Sequence, residues 1–243
     1  MSCPTATARI LFPGRRIGCG QARERRTTVT SIAIIGGTGY TGSNIAREAL
    51  SRGIEVTSVS RHEPAEPIEG VQYLTGDIAD QALLERVAAD HDVVVIAIHA
   101  VDGDNAPVLL PLTPAIAGAA KQGGARLGVV GGAGSSFVAE GGPRLLDTAE
   151  FLDAWKPEAS SHAEVLEWLQ ANGGDLEWFY VSPAALYGSF APGETTGEYR
   201  TNGDVLVTKE DGSSEISGTD FALAFVDEIV EPKHTGRRFT VGH

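Results

Sequence analysis

Short apolar runs of strand length alternate along the chain with segments whose apolar side chains recur at helical spacing. Seven runs predict strands, at residues 32–35, 56–60, 71–74, 92–98, 125–130, 177–181 and 238–241. The run at 92–98 is apolar throughout after its first residue, as in a central parallel strand covered on both faces. This alternation predicts an α/β domain with a doubly wound, parallel sheet.

The pattern changes after the sixth predicted strand, which Pro183 follows closely. Residues 199–216 alternate enough to predict a hairpin turned at Asp211-Gly212. Ser217-x-x-Asp220 resembles a capping box and predicts the start of a last helix. We expect residues 184–243 to form a small C-terminal lobe on the substrate side of the sheet.

A glycine-rich turn joins the first predicted strand to the first predicted helix. Gly37, Gly39 and Gly42 fit the G-x-G-x-x-G pattern, in the strand–turn–helix context that a Rossmann fold requires. Backbone N–H groups at the start of the helix would then face the pyrophosphate of a dinucleotide. The expected cofactor contacts are Gly36, Gly37, Thr38, Gly39, Tyr40, Thr41 and Gly42.

The end of the second predicted strand bears on which cofactor binds. Arg61 lies about 20 residues beyond the glycine turn, where an acid would hold the ribose of NAD. No acid ends this strand, and an arginine can pair with the 2′-phosphate of NADP, so NADP is predicted over NAD. The alternative for Arg61 is a solvated surface side chain.

Further cofactor contacts are expected where other strands end, because ligands of such sheets bind outside the carboxyl ends of the strands. Asp77 could accept a hydrogen bond from the adenine amino group or serve as a turn aspartate. His99 could border the nicotinamide or bond only to backbone. The full set expected here is Asp77, Ile78, Ala97, Ile98, His99, Gly131 and Pro183.

Composition limits the classes of partner. The 243 residues carry a formal net charge of −13, which gives no general attraction to nucleic acid. No apolar run reaches the roughly 18 residues that a membrane span needs. We expect a small-molecule substrate and no metal site, and a homodimer stays an option. The body lacks cysteine, as suits a cytoplasmic location.

Residues 1–30 differ from the rest, with six arginines against one acid and both cysteines. They could be a targeting segment, a disordered basic arm, or an extension upstream of a true start near Val29. We favour the third interpretation, which N-terminal sequencing of the native protein would test. Residues 31–243 would then form the NAD(P)-binding domain.

With the glycine turn, Arg61, residues 76–78 and 131–135 and Ser182-Pro183, the chain resembles an atypical short-chain dehydrogenase/reductase. It is most similar to the NmrA-like and biliverdin-reductase-B-like NAD(P)H-binding proteins, from about residue 31 to the end. The wider superfamily uses a serine after the fifth strand and a Tyr-x-x-x-Lys pair on the next helix.

The tyrosine–lysine pair is absent here, because no tyrosine lies between Tyr73 and Tyr180. Anchoring on Glu164 places Lys156 at the tyrosine position and Ser160 at the lysine position. The resemblance therefore implies cofactor binding more firmly than alcohol oxidation.

Three side chains are the candidate catalytic residues: Ser135, Lys156 and His162. Ser135, or Ser136 beside it, could donate to a substrate carbonyl. Lys156 and His162 are six residues apart and would not share a helix face, so only one should reach the site. The leading expectation is an NADPH-dependent reductase of a small carbonyl, quinone or flavin-like acceptor. The alternatives are an NADP-sensing regulator without turnover and a nucleotide-sugar epimerase or dehydratase.

Overall fold

The structure is a computed structural model that describes residues 29–243, and its centre is one eight-stranded sheet. The strands are β1 (Ser31–Ile35), β2 (Glu55–Ser60), β3 (Val71–Thr75), β4 (Val93–Ile96), β5 (Arg126–Val130), β6 (Trp178–Ser182), β7 (Arg200–Asn202) and β8 (Arg237–Gly242). The helices are α1 (Tyr40–Ser51), α2 (Gln81–Asp90), α3 (Leu109–Gly123), α4 (Lys156–Asn172) and α5 (Gly218–Val230).

The strand order is β3-β2-β1-β4-β5-β6-β8-β7, and every neighbouring pair is parallel except β7 with β8. The chain builds outward from β1 to β3 and then returns to the other side of β1 with β4. The strand order therefore reverses between β1 and β4, at the point where dinucleotides bind in this fold. The predicted doubly wound Rossmann sheet is confirmed.

Two apolar layers enclose the sheet, one on each face. On one face α1 packs beside α5, and on the other α2, α3 and α4 lie side by side. All of β4, β5 and β6 is buried, and most of their side chains are apolar, as in central parallel strands that are covered on both faces. The predicted lobe at residues 184–243 shares this sheet and core, because β8 pairs with β6 and α5 covers α1.

The sequence also predicts that Asp80 caps the second helix and that Gly123-Gly124 ends the third, and with Ser217 these three helix ends are confirmed. Asp80 caps α2 by accepting a 2.9 Å hydrogen bond from Ala82 N, and Ser217 caps α5 through Asp220 N at 3.0 Å. Gly124 ends α3 with a φ of +71°, a backbone conformation that favours glycine.

The predicted hairpin over residues 199–216 is wrong. A local turn does exist, with Gly212 N bonded to Lys209 O at 3.0 Å. However, β7 pairs antiparallel with β8 rather than with the segment after that turn. β8 pairs with β6 along one edge, and its other edge takes up β7 at the border of the sheet.

The sequence predicts one helix over residues 114–121 and another that starts at Ser160 or Ser161, and both begin earlier in the structure. α3 starts at Leu109 and not at Pro114, since the fully buried Leu109 anchors an additional first turn in the core. α4 starts at Lys156 and not at Ser160, and Pro157 fits its first turn because the N–H that proline lacks has no helical partner there.

The prediction for the basic N-terminal extension falls mainly on residues 1–28, which lie outside the described residues. Between residues 29 and 243, no helix is both long and apolar enough to cross a bilayer.

Candidate functional site

The glycine turn between β1 and α1 brings two backbone segments unusually close. Gly36 has a φ of +88°, and a Cβ on it would collide with the carbonyl of Ala97 at the end of β4. A Cβ on Gly42 would lie 2.8 Å from Gly37 Cα. A Cβ on Gly37 would lie 2.6 Å from Ser58 Oγ, which has no hydrogen-bond partner among the described residues. Only glycines let α1 start this close to β1 and β2.

The N-terminus of α1 has no side-chain cap, since Gly39 occupies the N-cap position. The side chains of Ser43 and Asn44 do not cap this end, because both donate to Tyr40 O, at 3.0 and 2.9 Å. No side chain that the structure describes therefore satisfies the first N–H groups of the helix, as in a helix end that receives an anion. This turn fits a dinucleotide pyrophosphate.

The remaining side chains of the turn differ in their surroundings. Thr38 is exposed, whereas the hydroxyl of Thr41 lies 2.8 Å from that of Tyr187. Tyr40 packs against the same tyrosine, with ring centroids 5.9 Å apart. The structure thus links two residues of the turn to the loop after β6, which sequence reasoning did not anticipate.

Arg61 and Asp77 lie beyond β2 and β3, on the side of the turn where the adenosine half would extend. Arg61 is exposed and makes no hydrogen bond or ion pair with any residue the structure describes. Asp77 Oδ1 accepts a 2.9 Å hydrogen bond from Ala79 N, so this carboxylate already stabilises a turn. Ile78 packs against the core beneath it.

Glu158, which the sequence did not single out, joins the end of β4 to α4. Its carboxylate accepts hydrogen bonds from Ala100 N at 3.0 and 3.1 Å and from Val101 N at 3.0 Å. Glu158 Oε1 also lies 3.2 Å from His99 Nδ1 and 3.3 Å from His162 Nε2. Glu158 thereby fixes the loop that follows Ala97 and Ile98.

The charge state of Glu158 follows from these contacts. Burial raises its pKa, but hydrogen bonds from His162, His99 and the backbone outweigh burial and hold the pKa far below its usual range. The same contact raises the pKa of His99 above its ordinary value. His99 itself is exposed, so the structure places it at the rim of the site.

The end of β5 meets α4 and β6 around a buried tyrosine. The ring of Tyr180 occupies the space that a side chain at Gly131 would need. Its hydroxyl accepts from Gly132 N at 3.3 Å and donates to His162 O at 3.0 Å. Burial raises the pKa of Tyr180 well above its ordinary value, so it stays protonated.

The structure separates the two candidate catalytic residues of α4. His162 is buried against Gly132, and its Nδ1 has no hydrogen-bond partner within residues 29–243. Lys156 is half exposed and pairs with Asp153 at 2.7 Å. Of the two, His162 is the one that packs against the end of β5.

Ser135 follows β5 and is 8% exposed. Arg238, from β8, donates hydrogen bonds from its Nη1 to three serine hydroxyls. The distances are 3.4 Å to Ser135 Oγ, 3.0 Å to Ser136 Oγ and 3.4 Å to Ser182 Oγ. Pro183 comes directly after Ser182 at the end of β6. Arg238 was missed because its position on a closing strand gives no sign that its side chain extends to the carboxyl edge.

Three aromatic side chains, Phe151, Trp155 and Phe190, form an aromatic rim. The ring centroids of Phe151 and Trp155 are 6.4 Å apart, and those of Trp155 and Phe190 are 5.8 Å apart. Trp155 is 44% exposed and Phe190 66%, which is unusual for such large apolar side chains. A small, mainly apolar cavity next to the rim reaches Ala185, two residues beyond Pro183.

The structure therefore has a helix N-terminus suited to an anion at the point where the strand order reverses. Polar side chains follow β5 and β6, and the aromatic rim borders the cavity that reaches Ala185. The sequence profile of a family described as NAD(P)H-binding matches residues 36–232, from the glycine turn to the end of α5. The chain belongs to the NAD(P)H-binding family. The predicted resemblance to NAD(P)H-binding proteins is thus confirmed, and so is a nicotinamide dinucleotide as the cofactor, whereas NADP over NAD stays a prediction.

Relatives of this NAD(P)H-binding protein match it over most of its length. The uncharacterized protein YwnB of Bacillus subtilis is 36% identical over 211 residues, which cover 86% of this chain and 97% of that protein. A solved structure from Streptococcus pneumoniae, SP1627, provisionally named an NADH-flavin reductase, is 33% identical with a TM-score of 0.75. It covers 88% of this chain and 99% of its own.

A second solved structure, provisionally named an epimerase, comes from Bacteroides thetaiotaomicron. It is 33% identical with a TM-score of 0.77 and covers 88% of this chain and 97% of its own. A short-chain dehydrogenase/reductase from Veillonella parvula in complex with NADP shares 15% identity, with a TM-score of 0.64 over 88% of this chain and 95% of its own. That last likeness concerns the fold alone.

Within residues 29–243, no group of three or more His, Cys, Asp or Glu side chains could hold a metal ion.

Proposed function

We propose that this protein is an NADPH-dependent oxidoreductase that reduces a small carbonyl, quinone or flavin-like acceptor by hydride transfer. The observation that carries the proposal is the uncapped N-terminus of α1, surrounded by glycines that leave no room for a Cβ. Similarity to SP1627, provisionally named an NADH-flavin reductase, supports reduction as the reaction.

The choice of NADPH rests on Arg61. It follows β2, is exposed, and has no partner among the described residues that would compete for its guanidinium. A 2′-phosphate beside the adenine ribose would give this side chain a bidentate, charge-assisted contact. The turn from Gly36 to Gly42 would hold the pyrophosphate.

A bound nicotinamide would supply the hydride, and the protein would position the acceptor and stabilise charge. Glu158 holds the β4–α3 loop through two backbone N–H groups, which fixes one wall of the nicotinamide end. Ser135 donates from the opposite wall to the acceptor oxygen. The rim of Phe151, Trp155 and Phe190 offers flat, apolar surface to the body of the acceptor.

Two alternatives differ in what α4 must supply. A nucleotide-sugar epimerase or dehydratase would depend on the Tyr-x-x-x-Lys pair, and α4 contains no tyrosine. An NADP-sensing regulator needs no catalytic pair, so the composition of α4 is compatible with it. Turnover separates the sensor from the reductase.

The cofactor is tested by titrating NADPH and NADH into the wild type and an Arg61→Ala variant, followed by the fluorescence of the reduced cofactor. Loss of one charged hydrogen-bond partner should weaken NADPH binding by about 10- to 100-fold, with little change for NADH. Arg86→Ala removes an exposed arginine from the middle of α2 and is the matched control. Equal losses for both cofactors would contradict the assignment of Arg61.

Turnover is tested by mixing protein and NADPH with a panel of quinones, flavins and aldehydes and following the loss of absorbance of the reduced cofactor. Oxidation of NADPH with at least one acceptor is expected. Tight NADPH binding without oxidation by any acceptor would favour the sensor.

A further inference from the structure

A buried arginine lies beneath the serine that is the candidate donor to the acceptor. The Arg238 side chain is 3% exposed, and its Nη1 faces the hydroxyls of Ser135, Ser136 and Ser182. Within the described residues, these three hydroxyls have no other hydrogen bond. The guanidinium therefore controls how all three hydroxyls are oriented.

The direction of these hydrogen bonds follows from the donor. A guanidinium nitrogen has no lone pair to offer, so Arg238 donates and each serine oxygen accepts. The hydroxyl hydrogen of each serine must then point away from Arg238. Ser136 and Ser182 are fully buried, whereas Ser135 is 8% exposed at the carboxyl edge. Of the three, Ser135 can offer its hydrogen to a bound molecule.

The charge of Arg238 is only partly balanced. Among the described residues its one carboxylate partner is Asp204, which lies 2.8 Å from Arg238 Nε and 2.6 Å from Nη2, whereas the serines face Nη1. Asp204 is 61% exposed, so water screens its charge, while the buried guanidinium is screened far less. A net positive field therefore reaches Ser135.

We infer that Arg238 is a positioning residue, which orients and polarises the Ser135 hydroxyl to stabilise negative charge on the oxygen of the acceptor. The inference rests on the proposed reductase function. When hydride adds to the carbonyl carbon, the electron pair of the C=O π bond moves to the oxygen. Ser135 donates a hydrogen bond to that oxygen and keeps its proton, and solvent then protonates the product. This arrangement favours acceptors with a carbonyl or quinone oxygen.

A double-mutant cycle on Ser135→Ala and Arg238→Met, with kcat/KM measured for NADPH and the best acceptor, tests whether the two residues act together. Loss of one oxyanion donor should lower the rate by about 100-fold. Arg238→Met should cost about 10-fold when Ser135 is present and less than about 2-fold when Ser135 is already alanine. Equal costs in both backgrounds would mean that Arg238 serves only the fold.

Arg126 provides the matched control. Like Arg238 it is a buried arginine of the sheet with a carboxylate partner, which is Glu228 on α5. However, Arg126 begins β5 and so lies at the opposite edge of the sheet. Arg126→Met should lower stability, and its cost should be the same with and without Ser135. Arg238→Lys retains the charge and should recover part of the rate lost in Arg238→Met. Thermal unfolding of each variant identifies any that fail to fold.

A second readout does not require turnover. The NADP⁺-loaded protein is titrated with 4-nitrophenol, whose ring suits the aromatic rim. The ionised form of this phenol absorbs visible light, so its pKa in the complex can be measured. The wild type should lower the pKa of the bound phenol below that of the free phenol, and Ser135→Ala and Arg238→Met should each abolish the shift. The inference would be overturned if the wild type did not lower the pKa of the bound phenol, or if both variants lowered it as much as the wild type does.

The two readouts separate this inference from the proposed function. If no acceptor oxidises NADPH but the bound phenol ionises as described, the reductase proposal fails and the oxyanion site stands. If acceptors are reduced but the mutant cycle is additive, the reductase proposal stands and the role of Arg238 is refuted.

Discussion

Gly42→Ala places the smallest possible side chain at the tightest backbone contact of the cofactor turn. The new Cβ would lie 2.8 Å from Gly37 Cα and closer still to the carbonyl oxygen of Gly36. Both neighbours are backbone atoms, so no side chain can rotate away. Because ordinary contacts between such atoms begin near 3.4 Å, α1 must move away from the turn by on the order of 1 Å.

The magnitude follows from two opposing effects. Overpacking of this kind costs about 1–3 kcal/mol, while alanine in a helix gains about 0.5–1 kcal/mol over glycine. The net loss should be about 1–2 kcal/mol, or a fall in Tm of roughly 2–8 °C for a chain of this length. Cofactor binding should suffer more, because the displaced N–H groups no longer converge on the pyrophosphate.

Gly118→Ala is the matched control, since Gly118 lies in α3 and a Cβ there would meet nothing within 4 Å. This variant should be stabilised by about 0.5–1 kcal/mol and should bind NADPH like the wild type. Both variants are followed by thermal unfolding and by NADPH titration. If Gly42→Ala bound NADPH normally and unfolded at the temperature of Gly118→Ala, the close approach of α1 to β1 would not be what forms the site.

Two further predictions concern Glu158 and Glu228, whose carboxylates each accept several hydrogen bonds. The pKa of Glu158 is lower in the folded than in the unfolded protein. Glu158 therefore makes its full contribution to folding stability above its ordinary pKa of 4.5, and this contribution declines as the pH falls below that value. Glu158→Gln should therefore cost about 1.5–3 kcal/mol at pH 7, and urea titrations should show the difference from wild type shrinking in acid. Glu228→Gln should cost about 3–5 kcal/mol in the same assay, because the buried Arg126 guanidinium loses its carboxylate partner. Glu48→Gln removes a half-buried carboxylate from Arg52, which keeps its ion pair with Asp227. A loss for Glu228→Gln no larger than that for Glu48→Gln would contradict this prediction.

Local rules predicted most of the fold from the sequence. Apolar runs and helical spacing located the elements of the Rossmann sheet, and the caps at Asp80 and Ser217 depend on chemistry within a few residues. The hairpin error has the opposite cause. β7 is only three residues long and its partner, β8, lies more than thirty residues away, so nothing local could reveal the pairing.

In the candidate site, too, local motifs were predicted and contacts between distant segments were not. The glycine turn is a contiguous motif and was visible in the sequence. Glu158 and Arg238 act through partners from other elements: Glu158 on the loop after β4, and Arg238 on the ends of β5 and β6. Each is an ordinary charged residue in its own segment, and only the packing of strands distant in sequence gives it a role.

The composition of α4 and the serine cluster together bear on the kind of acceptor. Glu158 is held in its charged form, and its contact with His162 keeps the Nε2 of that histidine on the carboxylate. Ser135 remains as a hydrogen-bond donor at the carboxyl edge, and a serine hydroxyl is too weak an acid to give up its proton readily. An acceptor whose reduced form is stable as an oxyanion needs no buried proton donor. A quinone meets that condition far better than an aliphatic aldehyde, so we expect quinones to oxidise NADPH faster than aldehydes in the acceptor panel.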